Sequence, residues 1–356
     1  MWIMRGVLPP GSSAWPERFF FPETARRFPE CLCMSELHSF IFEGLPVRGQ
    51  IVRLTDSWQE VLSRRDGSQT GPWPLPVRNL LGEMAAASLL MQSSIKFNGA
   101  LELQIQGDGP IKLAVAEAQP DLSFRATAKV MAGIDDHAHL ADLVNGNGQG
   151  RCAITLDPQD RQPGQQPYQG IVPLAAADGT RLQRLSDMIQ HYMRQSEQLD
   201  TVLVLAADDR VAAGLLIQRM PLEGKGNLQA GRADEEALAE DYNRIATLAA
   251  SLKPEELLSL DAETVLRRLF WEERLMRFEP RVGETAPRFS CRCSRARVVN
   301  MLRSLGREEL DSILEERGQI EVSCDFCGNE ERFDAVDVAG MFTALQDAPP
   351  GTQSVQ

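Results

Sequence analysis

Near its C-terminus the chain carries Cys291-x-Cys293 and, thirty residues further on, Cys324-x-x-Cys327-Gly328. Nothing else in the sequence constrains the fold as tightly. Pairs one or two residues apart let a single turn of backbone present two sulfurs with its amides directed at them, and Gly328 permits the positive φ such a knuckle needs. Four thiolates at about 2.3 Å suit the tetrahedral preference of zinc. The unit that holds them, Phe289 to about Leu345, has fewer than about 60 residues. A unit that small has little core, so a bound metal would supply folding energy. The spacing therefore predicts one zinc ion on Cys291, Cys293, Cys324 and Cys327. The first pair is the less usual element, because structural zinc sites more often use two-residue spacing.

Four protein thiolates leave the metal no open position for water or substrate, which argues against Lewis-acid hydrolysis. Two roles remain: a structural clip, or a redox sensor whose sulfurs release the metal when oxidised. Four cysteines allow three disulfide pairings. Loop-closure entropy favours the short-range pairs over those spanning thirty residues, without excluding the others.

The rest of the composition narrows the class. The 356 residues suffice for two domains, or for one large domain with a small appendage. A net charge of -13 argues against a general affinity for nucleic acid, and residues 288–356 hold 8 basic and 12 acidic side chains, so the cysteine unit lacks a basic face. No stretch is apolar enough to span a membrane. The N-terminus is broken by Pro9, Pro10, Gly11 and Pro16 and shows no secretory signal. Seven cysteines in a long chain are unlike a secreted disulfide framework, so the reducing cytoplasm is the expected location.

The fold class expected is α+β. Residues 1–33 have no period and read as a disordered tail or a start-site extension ahead of Met34. Residues 34–231 alternate strands and helices. Ala100–Gln106 and Ile111–Ala116 form a hairpin about Gly107-Asp108-Gly109-Pro110, and Phe124–Met131, Cys152–Leu156, Val202–Leu205 and Ala212–Gln218 read as further strands. Val77–Ser94 is a largely buried helix and Arg181–Gln195 an amphipathic one. Composition shifts at residue 232: residues 232–288 hold 13 acidic and 9 basic side chains in 57. Helices are expected there over Glu235–Leu252, Pro254–Leu260 and Ala262–Met276. The first has few large apolar side chains, so little burial is expected of it. The unit at 289–346 should open with a helix capped by Ser294 and running to Leu305, then a short helix over Glu308–Leu314. A hairpin with Cys324–Cys327 at its turn follows, and a last helix runs from Asp334 to Leu345. Residues 347–356 form a polar tail.

Other chemistry-bearing residues read as ordinary structure. Cys31 and Cys33 lack two further local ligands, and Cys152 sits in a strand as a small hydrophobe. Asp135, Asp136, His137 and His139 read as solvated loop. Gly107-Asp108-Gly109 and Gly146-Asn147-Gly148 are turns without a phosphate-binding lysine or a dinucleotide fingerprint. Glu83, inside an apolar helix, is expected to make a surface or capping contact.

Taken together, Phe42-Glu43 through Val47-Arg48-Gly49, Leu101–Pro110, Asp142–Gly146, Tyr168-Gln169-Gly170, Tyr192–Leu199, Leu257–Leu260 and the ending CRCSRARV…CDFCGN resemble the heat shock protein 33 family over about residues 35–345. That resemblance implies an ATP-independent holdase chaperone rather than an enzyme, off when reduced and zinc-loaded. It implies that oxidation forms disulfides Cys291–Cys293 and Cys324–Cys327 and releases zinc. The zinc unit and a metastable linker at residues 232–288 then unfold, exposing a surface for unfolding client proteins, and active molecules form homodimers. Residues 1–33 have no counterpart in the family, and residues 66–75 look like a small insertion. Two other classes stand against this reading: a structural zinc-ribbon binding module without redox switching, and an enzyme in the N-terminal domain, for which no motif is present.

Overall fold

The computed structural model of the chain describes residues 34–221 and 232–343, apart from 69, 132, 162, 163 and 177. The expectations for residues 1–33, Cys31 and Cys33 among them, and for the tail at 347–356 lie outside the described residues.

The mixed α/β architecture expected from the sequence is present. In chain order come β1 (Glu36–Phe42), β2 (Val47–Leu54), α1 (Asp56–Asp66), α2 (Leu75–Ser94), β3 (Gly99–Gln106), β4 (Ile111–Ala118) and β5 (Ser123–Val130). The short helix α3 (Leu140–Val144) leads to β6 (Arg151–Pro158), β7 (Tyr168–Val172), α4 (Leu185–Gln195), β8 (Thr201–Ala207) and β9 (Ala212–Arg219). The next segment supplies α5 (Arg232–Ala250), α6 (Pro254–Ser259), α7 (Ala262–Leu269), β10 (Leu275–Arg277) and β11 (Arg288–Phe289). One antiparallel sheet has the order β10-β1-β2-β9-β8. The second, β11-β5-β4-β3-β6-β7, is antiparallel except where β11 runs parallel to β5.

Helix α2 lies between the two sheets, which explains why it carries almost no charge. Val77, Leu81, Met84, Leu89 and Leu90 are all buried, in one cluster with Val52, Leu54, Leu203 and Leu216 of the first sheet and Leu103, Ile105 and Phe124 of the second. A helix enclosed on most sides has little solvated face to fill with polar residues, and its half-buried positions are Arg78, Asn79, Glu83, Ser93 and Ser94.

The first sheet is apolar on both faces. Strand alternation sends Leu37, Val52 and Leu54 toward α2, and Phe40, Phe42, Ile51, Leu215 and Ile217 the other way. The residues that cover this outer face come from the charged segment that follows. Tyr242, Ile245, Ala249 and Leu252, then Leu257, Ala262, Val265, Leu266 and Phe270, all lie buried on it. Little burial was expected here, and the structure corrects that expectation. The segment's apolar residues are few, but their helical spacing puts them on one stripe facing the sheet. Gly49 makes the close packing possible, since a Cβ there would strike the Phe40 ring and Ile217. Arg53 adds a polar tie: its guanidinium is buried and donates to Leu257 O at 2.7 Å and to Leu258 O at 3.3 Å.

Two helix boundaries differ from expectation by four residues or more, while α5 starts at Arg232 rather than Glu235. α7 ends at Leu269 rather than Met276, because Phe270 turns into an aromatic cluster with Phe40 and Phe42, its ring centroid 5.1 Å from that of Phe42. Leu275–Arg277 then extends the sheet beside β1. α4 begins at Leu185 rather than Arg181, because Arg181 bridges Ala175 and Leu182 N donates to Leu174 O.

Candidate metal centre

The C-terminal unit follows β11 with α8 (Arg295–Leu305), α9 (Arg307–Arg317), β12 (Ile320–Ser323), β13 (Glu330–Phe333) and α10 (Ala335–Thr343). Ser294 caps α8 as expected, its Oγ accepting from Arg297 N at 3.3 Å. The unit's own core is small: Leu302, Leu310, Ile320, Phe333, Val338 and Met341. β12 and β13 pair antiparallel, and the turn between them is the second cysteine pair. Cys324 N donates to Asn329 O at 2.9 Å, and Gly328 N to Cys324 O at 2.8 Å. Gly328 sits at φ +69°, a conformation that disfavours any side chain, so the knuckle closes where the sequence predicts it.

The four sulfurs of Cys291, Cys293, Cys324 and Cys327 all lie within 4.8 Å of one another. None is in a disulfide. The two shortest contacts cross between the pairs, Cys291 to Cys324 at 3.6 Å and Cys293 to Cys327 at 3.3 Å. Burial opposes ionisation of Cys291, but the Cys293 backbone N–H and the three neighbouring thiols together hold its pKa below the usual thiol value. Burial pushes Cys293 and Cys327 upward, although the Asn329 N–H eases the Cys327 thiolate. A metal ion would stabilise the thiolate forms, and this set of four can hold one.

The cluster rests on the outer face of the second sheet through contacts that sequence reading missed. Glu117 on β4 has a side chain 5 % exposed and accepts from Arg125 Nη2 at 2.5 Å, and also from Arg292, the residue between Cys291 and Cys293. The Arg125 guanidinium lies 4.2 Å from the Phe326 ring centroid and faces the Cys291 sulfur. Thr127 Oγ1 donates to Asp325 O at 2.7 Å. The available signal was the i, i+2 alternation of Arg125 and Thr127 on one face of β5, which a single sequence does not connect to a unit about 200 residues away.

The remaining chemistry-bearing residues lie elsewhere. Asp135, Asp136, His137 and His139 are exposed in the loop before α3, where Asp135 accepts from His137 N. Asp108 Oδ2 accepts from the backbone of Asn147 and Gln149, so the two glycine-rich turns brace each other. Cys152 is fully buried, and burial pushes its thiol upward. The expectation for Glu83 is corrected. It is partly buried where two clefts meet, one against β8 and α6 and the other against the 136–140 loop, and burial raises its carboxyl to about 8. No described helix is long and apolar enough to cross a membrane.

Comparison with known proteins agrees with the geometry. The family model described as "Hsp33 protein" matches residues 35–334. A 33 kDa chaperonin of Methylobacillus flagellatus is 44 % identical over 308 residues, covering 86 % of this chain and 94 % of the relative. Its counterpart in Chromobacterium violaceum is 43 % identical over 307 residues, covering 86 % and 93 %. The fold matches the solved 33 kDa chaperonin (heat shock protein 33 homolog) of Thermotoga maritima with a TM-score of 0.66 at 20 % identity, over 88 % of this chain and 99 % of that one.

Proposed function

The chain belongs to the Hsp33 family, and from that premise we propose that it is a redox-regulated holdase chaperone, independent of ATP and inactive while reduced and zinc-loaded. The observation that carries the proposal is the covered sheet face. Phe40, Phe42, Ile51, Leu215 and Ile217 form an apolar surface whose cover, residues 232–288, leads directly into Cys291. A patch of that kind, once exposed, binds other apolar chains.

Zinc fits the donor set. With four sulfurs at about 2.3 Å, a tetrahedron has edges of about 3.8 Å. The observed contacts of 3.3 and 3.6 Å and the outer limit of 4.8 Å bracket that value. When bound, zinc supplies a crosslink among the four cysteines, and so folding energy for a unit with a small core.

Under peroxide, one thiolate of a pair attacks an oxygen, the O–O bond breaks, and a sulfenic acid and hydroxide form. The partner thiolate attacks that sulfur and expels a second hydroxide. Two protons convert the hydroxides to water, so each disulfide takes two electrons from the cysteines and reduces one peroxide. We assign Cys291 to Cys293 and Cys324 to Cys327. This is the pairing that the family resemblance implies and that loop length favours, although the shortest sulfur contacts in the reduced cluster cross between the pairs. Disulfides do not ligate zinc. Its loss would unfold the C-terminal unit and then the linker, freeing the apolar face for unfolding clients and for pairing into homodimers. The resting thiols require a reducing compartment, which fits the cytoplasm.

Treatment with peroxide and mild heat, with counts of zinc and free thiols, should give one zinc and four thiols lost per chain. Suppression of client aggregation without ATP should appear with that loss. Equal activity in the reduced zinc-loaded protein would contradict the switch. Thiol loss with the fold intact would reduce the site to a structural clip.

A further inference from the structure

We infer that the ion pair between Arg292 and Glu117 couples the oxidation state of the cysteine cluster to the docking of the C-terminal unit on the core. The inference rests on the redox reading above and names how the site would act on the sheet beneath it.

Glu117 is a buried carboxylate with every oxygen engaged. Oε2 accepts from Arg125 Nε and Nη2, and Oε1 from Gln119 Nε2 and from Arg292. Directly across the ladder on β3 stands Glu102, whose pKa is raised by burial first and by the Glu117 charge second. A buried anion beside a second carboxylate depends on its guanidinium partners, and losing one leaves charge uncompensated. Both partners are tied to the thiols. Arg292 is bound in the chain between Cys291 and Cys293, and the Cys291 sulfur faces Arg125.

Closing a Cys291–Cys293 disulfide draws together to about 2.05 Å two sulfurs of a cluster that spreads over as much as 4.8 Å, and so pulls on the turn that carries Arg292. The same step removes the thiolate charge beside Arg125. Oxidation thus loosens Arg292 from Glu117 and removes the charge by which the unit attracts Arg125, at the joint where Asp325 and Phe326 touch β5. The ion pair turns a local bond into release of the whole unit.

The test uses the full-length, reduced, zinc-loaded protein with Arg292→Met and, independently, Glu117→Gln, which alters the core side without touching the cysteine segment. Hydrogen exchange is read at residues 115–127 and 320–333, together with the rate of activation by peroxide. Both variants should keep one zinc. Exchange in the two segments should rise about ten- to a hundredfold, the ratio expected for losing a hydrogen bond to a charged group, and both variants should activate faster. Arg292→Lys should restore part of the protection. Wild-type exchange and activation rates in both substituted proteins would overturn the inference. If peroxide fails to activate the wild type, the holdase reading falls, while the exchange comparison still decides whether the pair docks the unit.

Discussion

The docked segment 232–288 can be loosened without touching a cysteine. Ile245 on α5 is fully buried in the cluster it shares with Phe40, Ile51, Leu215 and Ile217. Ile245→Ala removes three buried carbons and leaves a cavity, a change worth about 2–5 kcal/mol. At about 1.4 kcal/mol per tenfold, the undocked population should grow roughly 30-fold to several thousandfold. The reduced, zinc-loaded variant should therefore suppress aggregation of a thermally unfolding client without oxidant, and its amides over 240–270 should exchange faster in proportion. Leu103→Ala, an equal truncation in the cluster around α2, should lower the melting temperature without producing this activity. If Ile245→Ala exchanged faster over 240–270 yet held no client, the sheet face would not be the binding surface and the reasoning would fail.

Three further outcomes follow from particular residues. Arg53→Met strips the donors from Leu257 O and Leu258 O and should destabilise α6 docking by about 1–3 kcal/mol, seen as faster exchange at residues 253–260. Glu83 has a folded pKa of about 8, above its ordinary 4.5. Its penalty is absent below pH 4.5, where both states hold the proton, and stability is lost as pH rises through 8. Glu83→Gln should flatten that slope in thermal melts and add about 1–2 kcal/mol near pH 8. Cys327→Ser should abolish stoichiometric zinc binding and expose residues 291–343 to protease while β3–β6 stay protected; retention of one tightly held zinc would refute the four-sulfur site.

Much of the fold is legible because local chemistry fixed it. The β3–β4 hairpin follows from strict alternation and a Gly-Asp-Gly-Pro turn. The knuckle follows from cysteine spacing and Gly328. The distant motifs Tyr168-Gln169-Gly170 and Tyr192–Leu199 explain each other once folded: Gly170 lies under the Tyr192 ring, whose hydroxyl donates to Glu197 at 2.8 Å. Contacts between segments far apart in the chain escaped the sequence. The sparse apolar residues of α5–α7 gain meaning only beside the outer face of β1, β2 and β9. Leu275–Arg277 looks helical until β1 offers it a ladder. Glu117, Arg125 and Arg292 are unremarkable charges until the fold brings residues 175 positions apart into one ion pair. Burial of Glu83 likewise depends on which elements close over it.

The most direct test is hydrogen exchange over residues 232–343 in reduced protein, with zinc bound and after chelation. The account expects protection to fall across 291–343 and then across 232–288 when zinc is withdrawn, with the strands around α2 unchanged. Retention of full protection in the reduced, chelated protein would contradict it.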